Sequence, residues 1–444
     1  MAFDIAVLVV GNTLVALAIG LGSRSKSFLA LLFAYSLVLS LGGALSLGSS
    51  IPIAPGGVPN LAGSDGEGYF EEAVLLSREG IDNFRDLITT NYSGYQIFLA
   101  LWFSVFGPSL AVGLVANNLL LLLSVLMLYR ATVLLTSSRQ AGLLACLALM
   151  LTPSHIYHSL LLLKEPAIGL AFSLMLLSLT EALKGRGLGL RPVLLFLAGI
   201  AIVMALRGTL LLFVIVLLGY LATLFLKRKS HVLVMLAALL LLLAPLAQVF
   251  TTHTLDTEFI AETITLNTII SATLDGGEVD AGGVVGRVSG AYLELPFTAK
   301  LALFFIPSLL QILLPFDFWS TAFIDQHFSA FFARNLNPIW YLFVAAWAVF
   351  SLVNSRRINE PLLRRFLLAG ATFYVMIAVI YGGAIPRYAA PALFFVYPAI
   401  GYWWDRFRLE PQVRTRVQVF FRRYFASILI LLLPYLALSL LRLL

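Results

Sequence analysis

Apolar runs long enough to cross a bilayer recur from residue 2 almost to residue 444, and this recurrence restricts the fold more than any other feature. A helix rises about 1.5 Å per residue, so a hydrocarbon core of about 30 Å needs roughly 20 residues. Hydrophobic residues make up 60% of the chain and charged residues 11%, against about 25% charged in an ordinary soluble domain. Such a chain cannot cover its apolar surface by folding alone, so lipid serves as its solvent. The expected fold class is an all-α polytopic membrane protein with about twelve transmembrane helices, forming one domain over residues 1–444.

The clearest helices are expected over 2–21, 27–48, 110–135, 139–153, 166–183, 191–206, 209–226 and 231–250, then over 338–353, 366–383, 388–404 and 425–444. Basic clusters set their sidedness through the positive-inside preference. Arg24 with Lys26, Arg130 with Arg139, Lys184 to Arg191, Lys227 to Lys229, Arg356 to Arg365 and Arg406 to Arg423 all fall on the cytoplasmic side of this helix set. The N-terminus then lies outside, and helix 2–21 is retained, since Asp4 precedes its apolar run where a signal peptide carries basic residues. The apolar stretches 94–107 and 298–316 must stay on the outer side, as juxtamembrane or re-entrant helices. Two long outer segments follow, a first loop over 49–109 and a second over 251–337, and functional chemistry is expected to concentrate in them.

The net charge of +7 comes from basic clusters between apolar runs, which points to membrane sidedness and away from nucleic acid. The single Cys146 permits no intramolecular disulfide and no Cys-rich metal centre. No Walker A motif, dinucleotide fingerprint, H-E-x-x-H or nucleophile elbow occurs, so ATP is not expected to supply energy here directly.

Several groups of residues are able to carry chemistry. Asp65 and Glu67 lie in the Gly-rich stretch Gly63 to Tyr69 just beyond the second helix. A carboxylate there is placed to act as general base on an acceptor hydroxyl, or else to cap the helix near Tyr69. Lys164-Glu165-Pro166 interrupts an apolar stretch at the outer end of a helix, where ionisable groups need partners. The two charges can neutralise each other, with Pro166 in the first helical turn. His155 and His158, three apart, have a spacing open to metal but no third ligand in view. Arg207 and Arg387, the latter followed by Tyr388, lie outside against the charge rule, where a guanidinium can hold a phosphate or pair with a carboxylate. The acidic stretch Asp256 to Asp280 lacks EF-hand spacing, yet a folded loop of carboxylates leaves room for a divalent cation.

The run Gly63-Ser64-Asp65-Gly66-Glu67-Gly68-Tyr69, with Ala73 and Gly80 after it, resembles the first outer loop of GT-C fold integral-membrane glycosyltransferases. Tyr92-Ser93-Gly94-Tyr95-Gln96-Ile97-Phe98, continuing to Phe106-Gly107, is similar to the juxtamembrane helix of the protein O-mannosyltransferase and aminoarabinose-transferase branches, without their prolines. One extra helix, 2–21, precedes the helix that leads into the loop. The resemblance implies a GT-C-like helical bundle in which Asp65, the first-loop aspartate, is the catalytic base and Glu165 is the second outer acid. Arg387-Tyr388 is similar to the family's late Arg-Tyr near the lipid-phosphate site.

The function implied is transfer of a sugar or oligosaccharide from a polyprenyl-phosphate or pyrophosphate donor to a glycan or lipid acceptor, in envelope polysaccharide assembly. Asp65, Glu67 and Glu165 would form the catalytic set, and Tyr69, His155, Lys164, Arg207, Arg387 and Tyr388 would bind substrate. Arg and Lys can stabilise the departing phosphate, so no cofactor is required. The expected location is a bacterial cytoplasmic membrane with the site on its outer face, in contact with membrane lipid. The competing expectation is a transporter or flippase for polyprenyl-linked glycans, marked by broken helices and charges at membrane depth.

Overall fold

The structure, a computed structural model, describes residues 2–21, 25–48, 65–79, 94–186, 189–207, 210–225, 340–380 and 390–441. The expected helix 231–250, the second outer loop 251–337 with its stretch 298–316, and the parts 49–64 and 80–93 of the first loop lie outside these residues. All regular structure among the described residues is helical. In hydrocarbon a helix satisfies its backbone polar groups within one segment, which is why apolar runs of this length take that form.

Two helices, α1 (Ala2–Leu21) and α2 (Lys26–Gly48), pack as an antiparallel pair. A shorter pair, α3 (Asp65–Glu79) and α4 (Gly94–Phe106), follows. The 27-residue α5 (Leu110–Thr136) then leads into α6 (Arg139–Met150) and α7 (Pro153–Leu160). Next come α8 (Glu165–Glu181), α9 (Leu190–Arg207) and α10 (Leu211–Phe225). The last part holds α11 (Ala346–Val353), α12 (Pro361–Ile380), α13 (Tyr397–Leu409) and α14 (Pro411–Leu441).

Among the described residues, five helices are long and apolar enough to cross a membrane: α1, the Lys26–Ala44 part of α2, α5, Glu165–Lys184 and α9. Their burial orders them within the bundle. In α5 and α8, 67% and 72% of the apolar window is buried, against 22% in α1 and 28% in α9. The first two form the centre, and the other two present apolar residues such as Leu14 and Leu194 outward, as lipid-facing helices do.

Small residues let these helices approach closely, the usual basis of helix association in lipid. A Cβ on Gly401 of α13 would overlap the Ala141 carbonyl of α6 and stand 2.9 Å from the Ala145 nitrogen. On Gly199 of α9 it would stand 2.8 Å from the Ala171 carbonyl of α8.

Several expected boundaries change, and the helix expected from residue 366 begins at Pro361. The single span 139–153 is instead the pair α6 and α7, bent by 58°. Pro153 lacks the N–H that would continue α6 and disfavours helical backbone at Thr152. The span 388–404 is a 3-10 turn over Ala390–Phe395 and becomes α13 only at Tyr397, with Pro398 in its first turn. The last helix begins at Pro411, well before residue 425, because no glycine or further proline interrupts the basic stretch up to the apolar run. As expected for 94–107, α4 is a short apolar helix of 13 residues, below the length of a span.

Candidate functional site

The turn between α7 and α8 creates the site. After α7, Leu162 adopts a left-handed backbone with φ of 50°, uncommon for a residue with a bulky side chain. Its side chain fills the space above Gly113, where an added Cβ would lie 3.1 Å from it. Lys164 then occupies the position just before α8, with Glu165 and Pro166 in the first turn. The Asn117 side-chain amide of α5 donates to the carbonyls of Ser159 at 3.0 Å, Leu163 at 3.2 Å and His158 at 3.4 Å. One side chain therefore serves the last carbonyls of α7 and one within the turn itself.

Charged and aromatic groups converge on this turn. Arg207, the last residue of α9, places Nη2 3.3 Å from Glu165 Oε1, with the two side chains 9% and 5% exposed. Lys164 Nζ stands 5.8 Å from the centre of the Tyr69 ring of α3. That ring meets Tyr95 of α4 edge-on at 5.3 Å. Burial, then the nearby Glu165 carboxylate and Tyr69, push the Tyr95 phenol well above its ordinary range. Beside it, Gln96 Nε2 donates to Glu72 Oε2 at 3.0 Å, tying α4 to α3.

Of the residues expected at the site, Tyr69, Lys164, Glu165 and Arg207 come together. Asp65 is the first residue of α3, and Glu67 follows in its first turn, half-buried. The Gly-rich stretch expected to be a loop is thus helical from Asp65 onward. Acidic residues early in a helix favour such a start through the positive end of the helix dipole. His155 lies elsewhere: its Nε2 is 2.9 Å from the Tyr397 hydroxyl, which donates to Thr152 Oγ1 at 2.9 Å. This links the α6–α7 bend to α13. Arg387 and Tyr388 lie outside the described residues. Among the described residues no group of three or more His, Cys, Asp or Glu is placed to hold a metal ion.

Sequence reasoning passed over Asn117, and it named Tyr95 and Gln96 only within the motif Tyr92 to Phe98, with no role at the site. It also missed a buried polar chain across four helices. Ser159 Oγ donates to Asn118 Oδ1 at 2.5 Å, Asn118 Nδ2 to Asn12 Oδ1 at 3.2 Å, and Asn12 Nδ2 to Ser40 Oγ at 3.0 Å. The available signal was the pair Asn117-Asn118 inside an apolar run, since polar residues at membrane depth find partners across helices.

Compared with protein-family models, curated proteins and solved structures, the chain matches none.

Proposed function

We propose that this protein is a lipid-linked-sugar glycosyltransferase of GT-C type, acting at the outer face of a cytoplasmic membrane in envelope polysaccharide assembly. The observation that supports it is the meeting of Lys164, Glu165 and Arg207 beside the helix that starts at Asp65. In this reading an acceptor hydroxyl attacks the anomeric carbon of a polyprenyl-phosphate or pyrophosphate sugar. The bond from that carbon to the phosphate oxygen breaks, and the acceptor proton passes to Asp65. Arg207, held by Glu165, and Lys164 stabilise the negative charge that develops on the phosphate, with Arg387 and Tyr388 as further contacts. Glu67 assists at the acceptor, and a divalent cation remains compatible with the reading.

The 58° bend between α6 and α7 favours one other reading, a flippase for polyprenyl-linked glycans. Sugar transfer by purified protein, with and without Asp65→Asn, separates the two. Transfer by the wild type that drops at least about a hundredfold in the variant supports the enzyme, a loss typical of a removed general base. Wild-type protein that moves labelled lipid across liposomes and transfers nothing supports the flippase.

A further inference from the structure

The end of the bundle opposite Glu165 carries a positive surplus that its carboxylates do not cover. Glu360 is engaged by Lys184 at 2.6 Å, Asp405 accepts from Ser138 Oγ at 2.6 Å, and Glu410 pairs with Arg406 at 3.5 Å. Arg414, Arg416, Arg422 and Arg423 of α14 are exposed, and among the described residues none has a carboxylate within ion-pair distance.

The helix fixes where those arginines sit. Val413 and Val417 are buried, and with Phe420 and Tyr424 they form the stripe that faces the bundle. Phe420 meets Phe350 at 5.3 Å and Phe421 meets Trp347 at 5.2 Å. Val419, 44% exposed, stands among the arginines, and past Arg423 the exposed large residues are apolar, with Phe425 37%, Leu429 59% and Ile430 66% exposed. On an unbroken helix, such a change from exposed arginine to exposed apolar residues is the pattern expected where the helix meets the lipid headgroup level. Arg414 and Arg416 stand about 9–13 Å further along the axis, at about 1.5 Å per residue.

We propose that Arg422 and Arg423 bind the phosphates of anionic phospholipids in the leaflet at this end, while Arg414 and Arg416 add only a longer-range attraction. A guanidinium suits phosphate through paired N–H donors. The outer pair lies beyond the Debye length of about 8 Å at physiological salt, so its contribution is screened. This inference is independent of the glycosyltransferase reading.

The test is thermal unfolding of the purified full-length protein in detergent, titrated with phosphatidylglycerol or with phosphatidylcholine. Phosphatidylglycerol raises the unfolding temperature, salt weakens the effect, and phosphatidylcholine gives none. A basic residue near the surface is worth about fivefold in affinity, so Arg422→Gln with Arg423→Gln weakens phosphatidylglycerol binding about thirtyfold. Arg414→Gln with Arg416→Gln weakens it less than about fivefold. Equal losses for the two pairs, no loss for the inner pair, or an equal effect of phosphatidylcholine each overturn the proposal. Should the inner double variant fail to fold, the single variants Arg422→Gln and Arg423→Gln are compared with Arg414→Gln and Arg416→Gln.

Discussion

Glu165 and Arg207 illustrate what a buried charge requires. With side chains only 5% and 9% exposed, the two charges offset each other, and removing one makes the other costlier to bury. Arg207→Leu is expected to destabilise the protein by about 3–5 kcal/mol in equilibrium unfolding, and Glu165→Leu added to it to recover much of that loss. Asn117 makes a different demand. Asn117→Leu releases three carbonyls around the turn, at a cost of about 1–3 kcal/mol in the same measurement. The sequence showed that Lys164 and Glu165 needed partners. That Glu165 is met by Arg207 was not legible, because the two are far apart in the chain and only the packing of α8 against α9 joins them.

At the scale of the helices, glycine acts according to what faces it. Gly401 has the Ala141 carbonyl and Ala145 directly against it, so Gly401→Ala must push α13 away from α6. Overpacking of this kind costs about 1–3 kcal/mol, read as a lower unfolding temperature. Gly68 lies within α3 and has nothing within 4 Å of an added Cβ. Gly68→Ala is expected to raise stability by about 0.5–1 kcal/mol, from lower chain entropy in the unfolded state. Helix existence was legible from apolar runs and the break at Pro153 from its missing N–H, whereas the 58° angle depends on what α7 packs against.

Across the whole molecule, charge divides the bundle into two ends. Glu165, Arg207 and the start of α3 lie at one, and Lys184, Glu360, Asp405 and the start of α14 at the other, separated by the length of α8. The two ends should therefore face opposite compartments. In a Cys146→Ala background, Glu71→Cys is expected to react with a membrane-impermeant maleimide in intact cells, and Gln418→Cys only after permeabilisation. Both positions are exposed, and the buried Cys146 is removed as a competing thiol. Labelling of both from one side would refute the two-ended arrangement.

The sequence alone determined that the chain is helical and belongs in a membrane, because apolar runs and sparse charge leave no other solvent for its surface. It also marked Lys164, Glu165 and Arg207 as charges in need of partners. Tertiary structure decided which partners they find, how Asn117 supports the turn between α7 and α8, and that His155 joins Tyr397. Those outcomes depend on contacts between residues distant in the chain, which local pattern does not encode.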